Sequence, residues 1–304
     1  MSANQFKNIA SSVKNRLLTA AREGGKPFQS LLTHYALERF LFRLSRSPLK
    51  EKFILKGGLL LAGMGLSMAR TTRDIDFLGL FPGNSDAVGA SIRDIGNVHL
   101  DDGLVYKFDN LSIEAMSDDQ EYPGIRLKFE AWLGKAKIPM QIDVGFGDAV
   151  VPAALDMTYP TLLDMEPPVV KAYSVETIVA EKFEASLDLA ELNSRMKDFY
   201  DVWMLSHAYP FHGAVLQDAI TATCARRSTP LSSQGLVFSK EFADRSDKQT
   251  QWTTFLRKTQ ITGIPEDFPV IMEGMRKFLH PIAEAVEKQL RFEKEWLPGG
   301  PWES

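Results

Sequence analysis

The sequence has one cysteine, Cys224, in 304 residues. A single thiol excludes an intramolecular disulfide framework and any zinc site built on cysteine pairs. Cys224 itself is expected as a small buried hydrophobe rather than a nucleophile. Histidine is also scarce. His34, His99, His207, His212 and His280 show no metal-ligand spacing, so structural or surface roles are expected for all of them. Long hydrophobic runs are missing. The longest, Leu59 to Met68, is too short to span a bilayer. The opening stretch MSANQFKNIASSVKNRLL carries no hydrophobic region of signal-peptide type. A cytoplasmic protein with no membrane partner is therefore expected. There is no GxSxG nucleophile elbow, no GxxxxGK[ST] phosphate loop, no internal repeat and no low-complexity tract. What is present is an ordinary globular composition, 44% hydrophobic and 24% charged, in a chain long enough for two domains.

The net charge of −4 conceals an asymmetry. Residues 1–56 carry eleven Lys and Arg against Glu23, Glu38 and Glu51, a balance of +8, so the remainder sums to −12. Residues 195–304 balance fourteen basic against fourteen acidic side chains. A basic segment on an acidic body suits contact with a polyanion, although a solvated helix surface accounts equally well for any single lysine there.

Hydrophobic periodicity predicts helices over 5–22 and 28–46, the second ended by Ser47-Pro48. A short extended entry at 53–55 leads to a helix opening at Gly57-Gly58. Residues 68–73 read as a loop, and DIDFLGL, residues 74–80, alternates like a strand. A helix is expected over 86–96, then strands at 104–108, 124–131 and 140–146. The stretch with Pro152, Pro160, Pro167 and Pro168 reads as a loop and the best domain boundary, giving domains 1–165 and 166–304. From Ser174 onward the pattern is mainly helical, and the tail LPGGPWES is expected to be mobile. The fold class is α+β: helices, then a mixed α and β region, then helices.

Asp74 and Asp76 stand two apart in a strand pattern, so both project to one face while Ile75 and Phe77 point into the core. Paired carboxylates repel unless something compensates them. A divalent cation does so, and Mg²⁺ takes oxygen ligands from one or two carboxylates plus substrate phosphates. Asp143, alone in the apolar strand IPMQIDVGF, is the candidate third ligand. Paired acids of this kind are more often plain surface residues. The apolar flanks, the upstream glycine pair and the third isolated acid favour metal. Gly57-Gly58 opening a helix suits a phosphate, with Lys56 adding charge. Arg70, Thr72 and Arg73 line the loop before the acids and either touch phosphate or hold the loop. Arg226-Arg227 is a weaker candidate phosphate contact, and Trp252, Trp296 and Trp302 are expected to pack rather than stack on bases.

A glycine pair, DID, then a later strand acid resembles the nucleotidyltransferase (polymerase-beta-like) superfamily. More narrowly, LKGG, RTTRDIDF, YPGIRLKFEA, QIDVGFGD, VETIVAEKFEA and KDFYDVWML, in this order, resemble the AbiEii/AbiGii toxin family over residues 30–210. The resemblance implies a nucleotidyltransferase-like mixed sheet flanked by helices, with a mainly helical C-terminal domain. It implies a metal-dependent toxin of a toxin–antitoxin or phage-defence pair, moving a nucleotide from a nucleoside triphosphate to RNA. The tRNA 3′ end is the first acceptor to expect, blocking translation, and Mg²⁺ or Mn²⁺ the ion. The partner implied is a cognate antitoxin, often a DNA-binding repressor. By the resemblance Gly57 and Gly58 are the glycine pair, Asp74 and Asp76 the metal acids, Lys182 the family lysine, and Asp198 and Asp201 the family DxxD. Gly58 departs from the wider superfamily, where Ser is common, so a hydroxyl contact is lost. A non-catalytic nucleotide-binding protein, or a transferase acting on a protein or small molecule, are the alternatives.

The residues around Lys182 add an argument of their own. Glu181, Glu184, Asp188 and Glu191 fall on one helix face, and Lys182 is the one charge on the opposite, apolar face. It either snorkels outward or is directed at a site. Asp198 and Asp201 share a face of the next helix and could pair with Lys182, Arg70 or Arg73, or orient the acceptor.

Overall fold

The computed structural model describes residues 3–66, 72–116 and 124–303, with side chains from residue 8. The chain divides into two compact units, residues 1–147 with 155–172, and residues 148–154 with 173–304.

The first unit is built on a mixed sheet of seven strands among the described residues, in the order β3-β4-β5-β2-β1-β7-β6. The strands are β1 (Phe53–Lys56), β2 (Asp74–Gly79), β3 (Leu104–Met116), β4 (Gly124–Leu133), β5 (Ala136–Phe146), β6 (Leu155–Thr158) and β7 (Val169–Ala172). The helices of this unit are α1 (Ala3–Glu23), α2 (Phe28–Ser45), α3 (Gly57–Gly63) and α4 (Ser85–Gly96). β2 lies at the centre, antiparallel to β1 and parallel to β5. Its alternation fixes its faces: Ile75 and Phe77 are fully buried while Asp74 and Asp76 are half-buried on the other side. α4 starts at Asn84, whose side chain accepts from the N–H groups of Asp86 and Ala87.

α2 is held to the sheet by an interior charge network. The Arg43 guanidinium donates to both carboxylate oxygens of Asp102, at 2.5 and 3.0 Å. The Tyr35 hydroxyl donates to the Asp102 carbonyl at 2.8 Å, and the Tyr106 hydroxyl to the Ala36 carbonyl at 2.6 Å. Glu38 is fully buried, accepts from Leu162 N–H at 2.7 Å and faces Arg39 at 3.3 Å. Burial raises its pKa from 4.5 to about 7, despite those two partners. Two of the eleven cations expected on a basic surface, Arg39 and Arg43, are therefore interior.

The second unit is mainly helical: α5 (Val175–Leu189), α6 (Met196–Ala208), α7 (Gly213–Arg226), α8 (Lys240–Ala243), α9 (Ser246–Thr259) and α10 (Phe268–Glu287). Ser174 caps α5 by accepting from Thr177 N–H at 3.2 Å. Phe183, Phe199, Trp252, Phe268 and Phe278 form its buried interior. Cys224 is buried there as expected, and burial pushes its thiol up to about 12.

Two expectations need correction. The proline-rich stretch contains β6 and β7, too short to announce themselves by alternation, and Val169–Ala172 belongs to the first unit. The expected mobile tail is docked. Glu295–Trp296 and Trp302–Glu303 pair with each other, and the first also pairs with Phe211–His212. Trp302 stacks on Phe278 and donates to its carbonyl at 2.9 Å. Aromatic burial there outweighs the flexibility of the neighbouring glycines. No helix among the described residues is long and apolar enough to cross a membrane.

Candidate active site

Sheet register brings the three acids together. Asp76 on β2 stands opposite Asp143 on parallel β5, and Asp74 stands two residues before Asp76. One carboxylate oxygen from each of Asp74, Asp76 and Asp143 lies within 4.8 Å of the others. Three hard oxygen donors at this spacing fit a divalent cation of the Mg²⁺ or Mn²⁺ kind.

Each acid is held differently. The Thr72 hydroxyl, buried at the start of β2, donates to Asp74 Oδ1 at 2.9 Å. Asp76 is accommodated by Gly57. That glycine has φ +69°, and a Cβ built on it would stand 1.9 Å from Asp76 Oδ2. The backbone conformation and the close approach both require glycine there. Lys56, the residue before it, is in register with Asp76 across β1 and β2. Asp143 accepts two hydrogen bonds from Arg126 on β4, Nε to Oδ1 at 2.9 Å and Nη2 to Oδ2 at 2.7 Å. The Gln141 amide lies 3.3 and 3.2 Å from the same two oxygens. The hydrogen bond to Asp143 raises the Arg126 pKa, against the opposing effect of its own burial.

Arg126 and Gln141 were not among the candidates from sequence. A signal for Arg126 existed, since the alternation in GIRLKFEA sets it on the polar face with Lys128. Register between β4 and β5 is what brings it to Asp143. Among the other candidates, Arg73 is exposed and Gly58 half-buried in the first turn of α3. Arg70 lies outside the described residues.

The second unit holds a separate cluster. Lys182 on α5 contacts Asp198 and Asp201 of α6, each at 2.7 Å. Of the alternatives left open, pairing with Lys182 is the one seen among the described residues. All three side chains are nearly buried, with 15% of Lys182, 9% of Asp198 and 6% of Asp201 exposed. Burial works against the Lys182 charge, but the two carboxylates outweigh it and raise its pKa. Burial likewise opposes ionisation of Asp198, and the Lys182 charge overrides it, lowering that pKa.

The acidic face of α5 is partly covered. Glu184 is buried and paired with Arg227 at 2.7 Å, and it accepts from the Thr229 hydroxyl. Arg227 also reaches Asp148 at 2.9 Å and Glu181 at 3.4 Å. Three carboxylates engage Arg227, the weaker candidate for a phosphate contact, and make it a counter-ion within this cluster. Trp252 and Trp296 are buried, and each donates its indole N–H to a backbone carbonyl.

The paired acids on a central strand, the third acid on its parallel neighbour and the mixed sheet define a nucleotidyltransferase-like α+β protein. Residues 39–274 match the family described as "Nucleotidyl transferase AbiEii toxin, Type IV TA system", and the chain belongs to that family. None of the curated proteins matches it in sequence. The solved structures that resemble it include two from Helicobacter pylori. One is a candidate nucleotidyltransferase from H. pylori, at 17% identity and a TM-score of 0.49, covering 84% of this chain and 96% of the other. The second is JHP933 from Helicobacter pylori, at 16% identity and a TM-score of 0.49, covering 85% and 95%.

Proposed function

We propose that the protein transfers a nucleotide from a nucleoside triphosphate to RNA, with the tRNA 3′ end as the acceptor, and so acts as the toxin of a toxin–antitoxin pair. The observation that carries this reading is the meeting of Asp74, Asp76 and Asp143 on one sheet face, in a chain of this family. A Mg²⁺ or Mn²⁺ ion bound there would acidify the attacking hydroxyl and neutralise charge on the phosphates.

The chain's own residues supply the rest. Thr72 orients Asp74, and Gly57 leaves the space that Asp76 fills. Asp143 acts as a ligand or as base toward the acceptor hydroxyl. Lys56, Gly57, Gly58, Thr72 and Arg73, with Arg70, form the nucleotide-binding set in this reading. Lys182, Asp198 and Asp201 act as one unit. The Lys182 ammonium lies 2.7 Å from each of the two carboxylates, which fixes its position. A cytoplasmic location and a cognate antitoxin of the DNA-binding repressor kind belong to the same reading.

The test is labelling. Purified protein is incubated with Mg²⁺, total cellular RNA and each labelled nucleoside triphosphate in turn. Label at tRNA size is expected with one nucleotide. Label on a protein instead would move the acceptor assignment to protein. Bound nucleotide with no transfer would favour a non-catalytic binding protein.

A further inference from the structure

We infer that Arg126 is a positioning residue that reserves Asp143, so that the protein without nucleotide takes one divalent cation, on Asp74 and Asp76, and not two. The inference rests on reading the three acids as a metal site.

The sheet register sets out the argument. Lys56, Asp76, Asp143, Arg126 and Glu114 are successive cross-strand partners on β1, β2, β5, β4 and β3. Directly opposed residues share a face, so these five form one transverse row of side chains. Two acids stand side by side in the row, with Lys56 next to Asp76 and Arg126 next to Asp143. Its guanidinium takes both Asp143 oxygens in the fork arrangement that matches carboxylate geometry, at 2.9 and 2.7 Å. Gln141 approaches the same two oxygens. The side on which a cation could chelate Asp143 is therefore already occupied by Arg126. Only the remaining lone pairs can face Asp74 and Asp76.

Charge points the same way. Three carboxylates carry −3, and Arg126 with Lys56 in the same row brings this to −1, too little to draw in two divalent ions. A second dication would meet the guanidinium at short range in a site where Asp143 is only 11% exposed. Arg126 itself is 38% exposed, so its replacement opens the carboxylate from the solvent side.

The experiment is equilibrium Mn²⁺ binding, read from the electron paramagnetic resonance of free Mn²⁺, on the full chain without nucleotide. One ion is expected for the wild type. Arg126→Gln is expected to bind a second ion, or to bind the first at least about tenfold more tightly. Arg126→Lys, which keeps the charge, should retain the single ion. Two ions on the wild type would overturn the inference, as would an Arg126→Gln protein with unchanged count and affinity. Should Arg126→Gln fail to fold, the wild-type count still decides. Absence of Mn²⁺ binding by every protein would overturn the metal reading itself, and the inference with it. Loss of binding in Asp74→Asn/Asp76→Asn separates that failure from this one.

Discussion

Gly57 has no side chain because Asp76 occupies the place where one would be. A Cβ there would lie 1.9 Å from Asp76 Oδ2 and 2.5 Å from its Cγ. The glycine that opens α3 thus serves the carboxylate on the neighbouring strand directly. Its positive φ makes the same demand on the backbone. Gly57→Ala is expected to cost about 1–3 kcal/mol and to displace Asp76. Denaturant unfolding with a Mn²⁺ titration checks both. Unchanged stability and unchanged Mn²⁺ affinity would refute the assignment.

Lys182 holds two nearly buried carboxylates apart. Lys182→Met leaves Asp198 and Asp201 facing each other without compensation, and a loss of about 3–5 kcal/mol is expected. Adding Asp198→Asn and Asp201→Asn to the same protein should restore most of it. Chemical denaturation of the single and triple variants makes the comparison. A single-variant loss below about 1 kcal/mol would mean that the pair behaves like a solvated surface bridge.

Glu38 gives the first unit a pH dependence with a definite sign. Its folded pKa, raised to about 7, lies above the ordinary 4.5. Below 4.5 it is protonated in both states and costs nothing. As pH rises toward 7 the unfolded chain ionises first, and stability falls. Glu38→Gln removes the titration. Its stability relative to the wild type should therefore grow between pH 4.5 and 7, by up to about 3 kcal/mol. Urea midpoints at both ends of that range measure it, and a constant difference would contradict the account.

Much of the site was legible in sequence because strand alternation is a strict constraint. DID places two carboxylates on one face whatever the rest of the chain does, and an acid isolated in IPMQIDVGF needs a partner. Lys182 was legible as the lone charge on an apolar face. Arg126 was not, because which β4 residue meets Asp143 is decided by cross-strand register, a long-range property, whereas Gln141 shares the Asp143 face by the same alternation and was overlooked. The partner of Glu184 was not legible for a related reason, since Arg227, more than forty residues later, comes back to cover it. The strands β6 and β7 and the docked tail were missed because pairings this short depend on tertiary packing rather than on local pattern.

The central claim is that Asp76 takes part in chemistry. Asp76→Asn keeps the shape of the side chain that fills the space beside Gly57, and removes its charge. The decisive measurement is the rate of nucleotide transfer to RNA by this variant against the wild type, with thermal unfolding alongside. The account predicts a fall of about 10³-fold or more with little change in unfolding temperature. A variant that transfers nucleotide at the wild-type rate would contradict it.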